Sequence, residues 1–281
     1  MEKKYCDLHT HSNFSDGTYT PRELLREGES LGLSAIALCD HNTVAGLWDF
    51  IHAAKDFDIE AVAGTELSTD YEGKELHIVG LFINPSHFDK ITALVEKMQH
   101  DKEKNYRELI NRLYADGYKL SYDKVSKKSE TGRINRAHIA EALFEAGYVR
   151  SIQDAFLHLL SKSGGYYKEP KYIPATEAIS FLKSIGAVAV LAHPYLSLSP
   201  EEVREFLPIG KAAGLDAMET VYSKYSDKTT EIARKAAKEF GILESGGSDF
   251  HGSRKPDIAL GRGKGSLRIP SEFLEKLKEK L

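Results

Sequence analysis

Short apolar runs alternate with longer amphipathic stretches along the first hundred residues, a pattern typical of strands that alternate with helices. Thr20-Pro21-Arg22-Glu23 predicts the start of a helix, because it supplies a threonine cap, a proline in the first turn and a glutamate three residues after the cap. Glu72-Gly73-Lys74 predicts a hairpin turn. A second helix is predicted over Val44–Phe57. The predicted strands of this part are 5–8, 35–38, 60–64 and 76–82.

The same alternation returns late in the chain. Strands are predicted at 187–191, 215–220 and 242–245, separated by helices over 200–213 and 227–240. A short strand near Leu267 and a helix from Ser271 close the chain. About seven core strands result, one fewer than in a regular eightfold barrel, and the alternation predicts a largely parallel α/β sheet or barrel.

Residues 102–170 break this pattern, since they are mostly helical and lack convincing buried strands. They hold 13 Lys/Arg against 9 Asp/Glu, a charge of +4, whereas the remainder carries −8. We predict an inserted helical subdomain at 102–170, reached through a long helix from Ser86, with a barrel built from 1–101 and 171–281. The alternative is a set of extra barrel helices whose charges are solvated.

Composition places the chain among ordinary globular proteins, with 281 residues, 41% hydrophobic and 28% charged. No apolar run approaches the roughly 20 residues that span a bilayer, and no apolar signal segment follows the first lysines. Only two cysteines occur, which excludes a disulfide framework and favours a cytoplasmic setting. The net charge of −4 argues against non-specific coating of nucleic acid.

Histidines and carboxylates cluster just after, or at the start of, the predicted strands. They are His9, His11, Asp16, His41, Glu66, His77, His193, Asp249 and His251. Because the carboxyl ends of parallel barrel strands open on one face, we expect these side chains to converge. A single histidine after a strand is more often a hydrogen-bonded residue than a ligand, but this number favours metal binding. Nine nitrogen and oxygen ligands exceed the needs of one ion and suit manganese, iron or zinc.

Four neighbouring residues receive supporting roles. Alternation turns Cys6 and Cys39 away from the ligands, so we predict buried core thiols. Asp7 and Asp40 adjoin ligand histidines, and we expect them to orient the imidazole rings.

The segments that carry these residues form a recognisable set, namely DLHTHS, SDG, CDHN, GTELS, ELHIVG, AHP and GSDFH. The chain resembles the polymerase and histidinol phosphatase (PHP) family of metal-dependent phosphoesterases from end to end. The resemblance implies a distorted (β/α)7 barrel with up to three metals. It extends to a branch that has a mainly helical insertion and acts on nucleoside 3′,5′-bisphosphates and short oligoribonucleotides.

The resemblance also implies how the ligands are shared. One metal would bind His9, His11, Glu66 and Asp249. A second would share Glu66 and add His77 and His193. A third would bind Asp16, His41 and His251. The family's T-D-H segment has Cys39 in the place of threonine here, which leaves the ligand His41 intact.

The insertion matches its branch less faithfully. The branch often shows G-R-P-H, where arginine and histidine approach the substrate phosphate, and Arg136 and His138 match it. Asn135 and Ala137 replace the glycine and the proline. The alternative is a salt bridge and a cap at a helix start. Tyr166 and Tyr167 could stack on a base, or they could pack the insertion onto the barrel.

The implied activity is hydrolysis of a phosphomonoester of a nucleotide-like substrate by a hydroxide that bridges two ions, with 5′-3′ trimming of short RNA as a further expected activity. The resemblance implies two or three divalent metals per chain, with manganese or iron favoured. Glu66, Asp249 and His251 are the expected catalytic residues, and the sequence does not choose which of Asp249 and a nearby histidine moves the proton. Arg136 would hold phosphoryl oxygens. The expected partner is a nucleotide or short oligoribonucleotide, with no membrane and no stable protein partner.

Three alternatives remain at this stage. A histidinol-phosphate phosphatase would share the metal cluster but would need a pocket for a small cationic substrate. An amidohydrolase-type barrel would hydrolyse C–N bonds, but it usually lacks a third site such as Asp16, His41 and His251. The third alternative is a metal-binding module without catalytic activity.

Overall fold

The computed structural model describes residues 4–128, 134, 136–161, 164–167 and 172–281, and of residues 99–102 it describes only the helical backbone. The chain begins with the predicted alternation of strands and helices. The first elements are β1 (Tyr5–Thr10), α1 (Pro21–Ser30), β2 (Ala35–Leu38) and α2 (Leu47–Ala53). Thr20 and Glu23 form the predicted capping box of α1, in which each side chain accepts from the other residue's backbone amide.

The second helix is shorter than the predicted 44–57. Before it, the Thr43 hydroxyl accepts from the amide of Ala45 at 3.1 Å, a local bond that competes with helix formation. After it, residues Ala54–Asp56 tighten into a 3₁₀ turn. Helix α2 therefore contains only the central seven residues of the predicted element.

The hairpin is formed by β3 (Glu60–Tyr71) and β4 (Lys74–Leu81), joined at Glu72-Gly73. Glu72 and Gly73 have φ angles of 52° and 77°, as a two-residue type I′ turn requires. Strand β4 is antiparallel to both of its neighbours, so the sheet is mixed, although most of its strand pairs are parallel as predicted. The reversal has a functional consequence, because the start of β4 then lies at the same barrel edge as the carboxyl ends of the other strands.

The remaining elements follow in chain order. They are α3 (Phe88–Ala115), α4 (Tyr122–Ser126), α5 (Arg136–Glu145), α6 (Ile152–His158), β5 (Ile173–Pro174), α7 (Ala175–Ser184), β6 (Val188–Ala192), α8 (Pro200–Ala213), β7 (Ala217–Tyr222), α9 (Asp227–Phe240), β8 (Leu243–Gly247), β9 (Ile269–Pro270) and α10 (Ser271–Lys278).

The sheet is nearly closed into a barrel, which confirms the predicted α/β barrel. Its strand order is β8-β7-β6-β4-β3-β2-β1-β9, with β5 beside β3. A parallel bridge between Thr10 and Phe250 joins β1 to the segment after β8. Two backbone hydrogen bonds extend this junction. The amide of Asp249 donates to the His9 carbonyl at 2.9 Å, and the amide of His11 donates to the Phe250 carbonyl at 3.0 Å.

Two apolar clusters stabilise the barrel. The larger one fills the layer between sheet and helices and includes Ile36 and Leu38 of β2. The smaller one takes the alternate positions Ala35, Ala37 and Cys39, together with residues of α10. Both faces of β2 are therefore buried, which explains why its sequence is continuously apolar.

The chain divides into two compact units, Met1–Val95 with Tyr172–Leu281, and Glu96–Lys171. The boundary falls within α3, a few residues before the predicted 102, because Val95 still packs in the core of the first unit. The second unit has an apolar core of its own, to which Tyr106, Leu113, Ile139 and Leu160 contribute. None of the helices in the described part of the chain has the length and apolar character that crossing a bilayer requires.

Candidate metal centre

All nine candidate ligands belong to the first unit and lie at one edge of its sheet. His9 is in β1, and His11 and Asp16 follow it; His41 follows β2; Glu66 is in β3; His77 is in β4; His193 follows β6; and Asp249 and His251 follow β8. Ligand atoms from these residues form four overlapping groups, each with its atoms within 4.8 Å of one another. Sequence positions more than 200 residues apart therefore meet in one cluster.

Glu66 lies at the middle of the cluster and is fully buried. Imidazole nitrogens from five histidines lie 2.7–3.3 Å from its carboxylate oxygens. Oε1 faces His77 at 2.7 Å and His193 at 2.9 Å. Oε2 faces the other three, which are His9, His11 and His41. The two oxygens of one carboxylate thus serve two different sets of imidazoles, as a carboxylate shared by two ions would.

A further group surrounds the carboxylate of Asp16. Its Oδ1 lies 3.2 Å from Nε2 of His251, and its Oδ2 lies 3.8 Å from Nε2 of His41. His11 links this group to the rest, since its Nδ1 lies 3.9 Å from Asp16 and its Nε2 lies 3.3 Å from Oδ1 of Asp249. Asp16 is the most exposed of these residues, so this group faces solvent.

Several buried ligand atoms make no hydrogen bond within the described residues. They are Nε2 of His9, both ring nitrogens of His11, Oε2 of Glu66 and Nε2 of His251. An unsatisfied buried polar atom costs about 1–3 kcal/mol, so a cluster of them without a partner would be strongly destabilising. Divalent cations bound by nitrogen and oxygen donors remove this cost, and the residues therefore fit a metal centre.

Burial and mutual charge shape the titration of the cluster. Burial opposes the charged form of Glu66, but the surrounding imidazoles hold its pKa well below the usual range. Burial opposes the protonated form of His77, but the negative charge of Glu66 favours it. The net effect raises the pKa of His77 to about 10. Burial and repulsion from His41 lower the pKa of His11 to about 3, so that this imidazole stays neutral and one of its two ring nitrogens keeps a free lone pair. Cation binding must displace protons from imidazoles such as His77.

Glu219 is a buried carboxylate beside the cluster that the sequence analysis did not single out. It lies in β7, is 2% exposed, and accepts from Nδ1 of His9 at 2.8 Å and from the amide of His193 at 2.7 Å. This contact fixes the tautomer of His9 and leaves its Nε2 free to bind a cation. A single acidic residue inside the buried strand Ala217–Tyr222 was the available signal, because a buried carboxylate needs a partner.

Asp7 and Asp40 do not orient imidazoles, contrary to the prediction. Asp7 accepts from the amides of Ser248 and Gly261, both at 2.8 Å. Asp40 accepts from the amide and hydroxyl of Ser12, at 2.8 and 2.6 Å. Both carboxylates hold the loops that carry the ligands, because those backbone amides would otherwise be buried without acceptors.

The two cysteines are free, buried thiols packed among apolar side chains, as predicted. Burial raises the pKa of both Cys6 and Cys39, so neither offers a thiolate to a metal. The described cluster therefore consists of nitrogen and oxygen donors only.

Backbone strain marks the strand ends that carry ligands. His193 and Asp249 have φ angles of 29° and 56°, and Asn42, next to His41, has 49°. Non-glycine residues adopt this region rarely, and such residues concentrate at functional sites. These conformations turn the chain at the ends of β6, β8 and β2.

Arg136 and His138 lie on α5 of the second unit. The guanidinium of Arg136 lies 4.3 Å from the ring centroid of Tyr167 and 5.9 Å from that of Phe156. Tyr166 donates to Asp116 at 2.6 Å. Tyr166 and Tyr167 both pack against the core of their own unit. Lys168, beside them, lies outside the described residues.

Comparison with known proteins shows the same fold and related enzymes. A 5′-3′ exoribonuclease of Haemophilus influenzae is 35% identical over 252 residues, 89% of this chain and 91% of that protein. A 3′,5′-nucleoside bisphosphate phosphatase of Chromobacterium violaceum is 27% identical over 247 residues, 87% and 86% of the two chains. A Bifidobacterium adolescentis crystal structure, described as a metal-dependent phosphoesterase, superposes with a TM-score of 0.74 at 29% identity, covering 98% and 96%.

The barrel, the ligand cluster and these relatives define a metal-dependent hydrolase of phosphate esters. The PHP domain model matches residues 7–169, more than half of the chain. The chain therefore belongs to the PHP family, and its resemblance to that family is confirmed.

Proposed function

We propose that this phosphoesterase hydrolyses the phosphomonoester of a nucleotide-like substrate, a nucleoside 3′,5′-bisphosphate, and also trims short oligoribonucleotides from the 5′ end. The observation that carries the proposal is the buried Glu66, whose two oxygens face two different sets of imidazoles. A carboxylate so placed serves adjacent cations, and adjacent cations suit phosphoryl transfer. The names of the two relatives, an exoribonuclease and a bisphosphate phosphatase, support the substrate class.

We assign roles to the chain's residues as follows. Nine ligands would hold two or three divalent cations, manganese or iron by preference: His9, His11, Asp16, His41, Glu66, His77, His193, Asp249 and His251. When bound, the cations neutralise phosphoryl oxygens and lower the pKa of attacking water. Glu66 keeps two groups of imidazoles at a fixed separation. His251 is the proposed proton carrier, since it belongs to the most exposed group, and Asp249, whose carboxylate lies 3.4 Å from its Nδ1, is proposed to assist it.

The second unit is the proposed substrate lid. Its sequence carries +4 while the rest of the chain carries −8, a balance that favours an anionic substrate. Arg136 and His138 would contact a phosphate outside the metal cluster. The Tyr167 ring over Arg136 is consistent with a guanidinium held in one orientation. We also propose a cytoplasmic location, because both cysteines are free.

The test is hydrolysis by protein loaded with Mn²⁺ of four compounds, measured as phosphate release and, for the RNA, as release of mononucleotides. These are adenosine 3′,5′-bisphosphate, a short 5′-phosphorylated RNA, histidinol phosphate and an aryl phosphate. We expect the first two to be preferred. Preferred turnover of histidinol phosphate would leave the metal centre standing but refute the substrate class.

The His9→Ala variant is the control for the metal centre, because His9 Nε2 is a buried ligand atom without a hydrogen bond. We expect it to lose activity on all four compounds. His52→Ala is a matched control, since His52 lies on α2 outside the cluster. Persistent activity in His9→Ala would show that the cluster is assigned wrongly.

A further inference from the structure

Asp249 has two different oxygen environments. Its Oδ1 faces the cluster, 3.3 Å from Nε2 of His11 and 3.4 Å from Nδ1 of His251. Its Oδ2 points the other way, where the Tyr222 hydroxyl donates to it at 2.7 Å and the Lys255 ammonium at 2.8 Å. Both donors therefore lie on the side of the carboxylate that faces away from the cluster.

Tyr222 is well placed to act as a fixed donor. It ends β7, is 2% exposed, and its ring centroid lies 5.1 Å from that of His193. The residue therefore contacts two ligands, Asp249 and His193, from outside the cluster.

Lys255 is held near Asp249 by the segment that bears it. The Thr18 hydroxyl accepts from the amide of Ser253 at 3.0 Å, and a Cβ at Gly252 would collide with Thr18. Gly252 has a φ of 65°, a conformation that also favours glycine. The Lys255 side chain is 29% exposed, so its stem is largely covered while its ammonium reaches Asp249.

We propose that Tyr222 and Lys255 are positioning residues, which together occupy Oδ2 of Asp249 and restrict this residue to binding a cation through Oδ1 alone. The inference rests on the proposed metal-dependent function. Two donors on one oxygen fix the carboxylate plane, and such outer contacts typically contribute 10–100-fold to metal affinity or activity. A lysine adds a charge-assisted bond, which is stronger than a neutral one.

The test measures Mn²⁺ affinity directly, by titrating metal-free protein and following free Mn²⁺ by electron paramagnetic resonance. We expect Lys255→Met and Tyr222→Phe each to weaken binding of one ion by about 10-fold or more. Because Tyr222 and Lys255 share one acceptor oxygen, the double variant should weaken Mn²⁺ binding by less than the product of the two single effects. Lys255→Arg, which retains the charge, should recover most of the affinity.

Lys264→Met is the matched control, since Lys264 also pairs with an aspartate, Asp257 at 3.3 Å, but on an exposed surface. It should bind Mn²⁺ as the wild type does. The wild-type substrate panel, run in parallel, tests the proposed function separately from the affinity measurement. Tyr222→Phe removes a single atom and keeps the test valid if Lys255→Met does not fold.

Two results would overturn the proposal. One is unchanged Mn²⁺ affinity in both single variants. The other is a raised KM in Lys255→Met with unchanged affinity for Mn²⁺, which would make Lys255 a contact of the substrate phosphate. A positioning role predicts a lower kcat at saturating substrate with little change in KM.

Discussion

Glu66 and Glu219 are both buried carboxylates at the same edge of the barrel, but their contacts differ. Glu66 meets imidazoles with both oxygens and retains an oxygen without a hydrogen bond. Glu219 is fully engaged, by His9 Nδ1 and the His193 amide. The first is suited to bind cations and the second to orient the residues that do.

We therefore expect Glu219→Gln to reduce Mn²⁺-dependent activity by about 10–100-fold. The amide keeps the shape of the side chain but can no longer stabilise charge on His9. The measurement is kcat for phosphate release together with Mn²⁺ affinity. Glu244→Gln is the control, because Glu244 lies on the neighbouring strand β8 and bonds to Thr220 outside the cluster. Equal effects of the two substitutions would remove the special role of Glu219.

At the scale of elements, the junction between β1 and β8 brings His9 and Asp249 together. Gly247, the last residue of β8, allows this approach, because a Cβ there would lie 2.7 Å from the His9 backbone nitrogen. Gly28 in α1 is also crowded, but its neighbours are the flexible tips of Ile36 and Ile59 at 2.8 and 2.9 Å. Backbone cannot move aside as a side-chain tip can.

Gly247→Ala should destabilise the protein by about 3 kcal/mol or more, at the upper end of the usual cost of overpacking. Gly28→Ala should change the free energy of unfolding by no more than about 1 kcal/mol, because better helix propensity offsets the crowding. Urea unfolding of both variants is the measurement. A larger loss in Gly28→Ala than in Gly247→Ala would contradict the assigned contact.

The elements with local signals were predictable from the sequence. The cap of α1, the hairpin at Glu72-Gly73 and the helix bounds 200–213 and 227–240 all depend on neighbouring residues. The direction of β4 within the sheet does not, since it follows from pairing with the distant β6. Likewise, the role of Glu219 depends on His9, 210 positions away. Strand direction and the role of a buried carboxylate therefore depend on long-range contacts, which a local sequence pattern does not encode.

Across the whole chain, charge is unevenly distributed between the two units. The sequence of 102–170 is basic and includes the exposed Lys124 and Lys127, whereas the barrel sequence is acidic. If the proposed lid binds RNA phosphates, the affinity for RNA must fall as the salt concentration rises, because counterions condensed on the RNA are released on association. An acidic barrel alone would show no such dependence.

We expect KM for a short 5′-phosphorylated RNA to rise between about 50 and 200 mM salt, and to rise less in the Lys124→Ala/Lys127→Ala variant. Steady-state kinetics at several salt concentrations provide the measurement. Lys55→Ala/Lys228→Ala removes two exposed lysines from the barrel and serves as the control. The same slope in all three proteins would show that the second unit does not attract the RNA.

Metal binding should stabilise the barrel, since the unfolded chain cannot assemble ligands from residue 9 to residue 251. At 100 times its dissociation constant, Mn²⁺ adds about 2.7 kcal/mol, which raises the thermal midpoint by about 5 °C or more relative to chelator-treated protein. Trp48, the single tryptophan, lies on α2 in the first unit, so its fluorescence reports on the barrel.

The His9→Ala variant should lose most of this increase in the thermal midpoint. His52→Ala is unsuitable as a control here, because the His52 ring stacks on Trp48 and its removal would alter the fluorescence. His158→Ala, in the second unit, serves instead. An equal increase in His9→Ala would place the bound ion elsewhere.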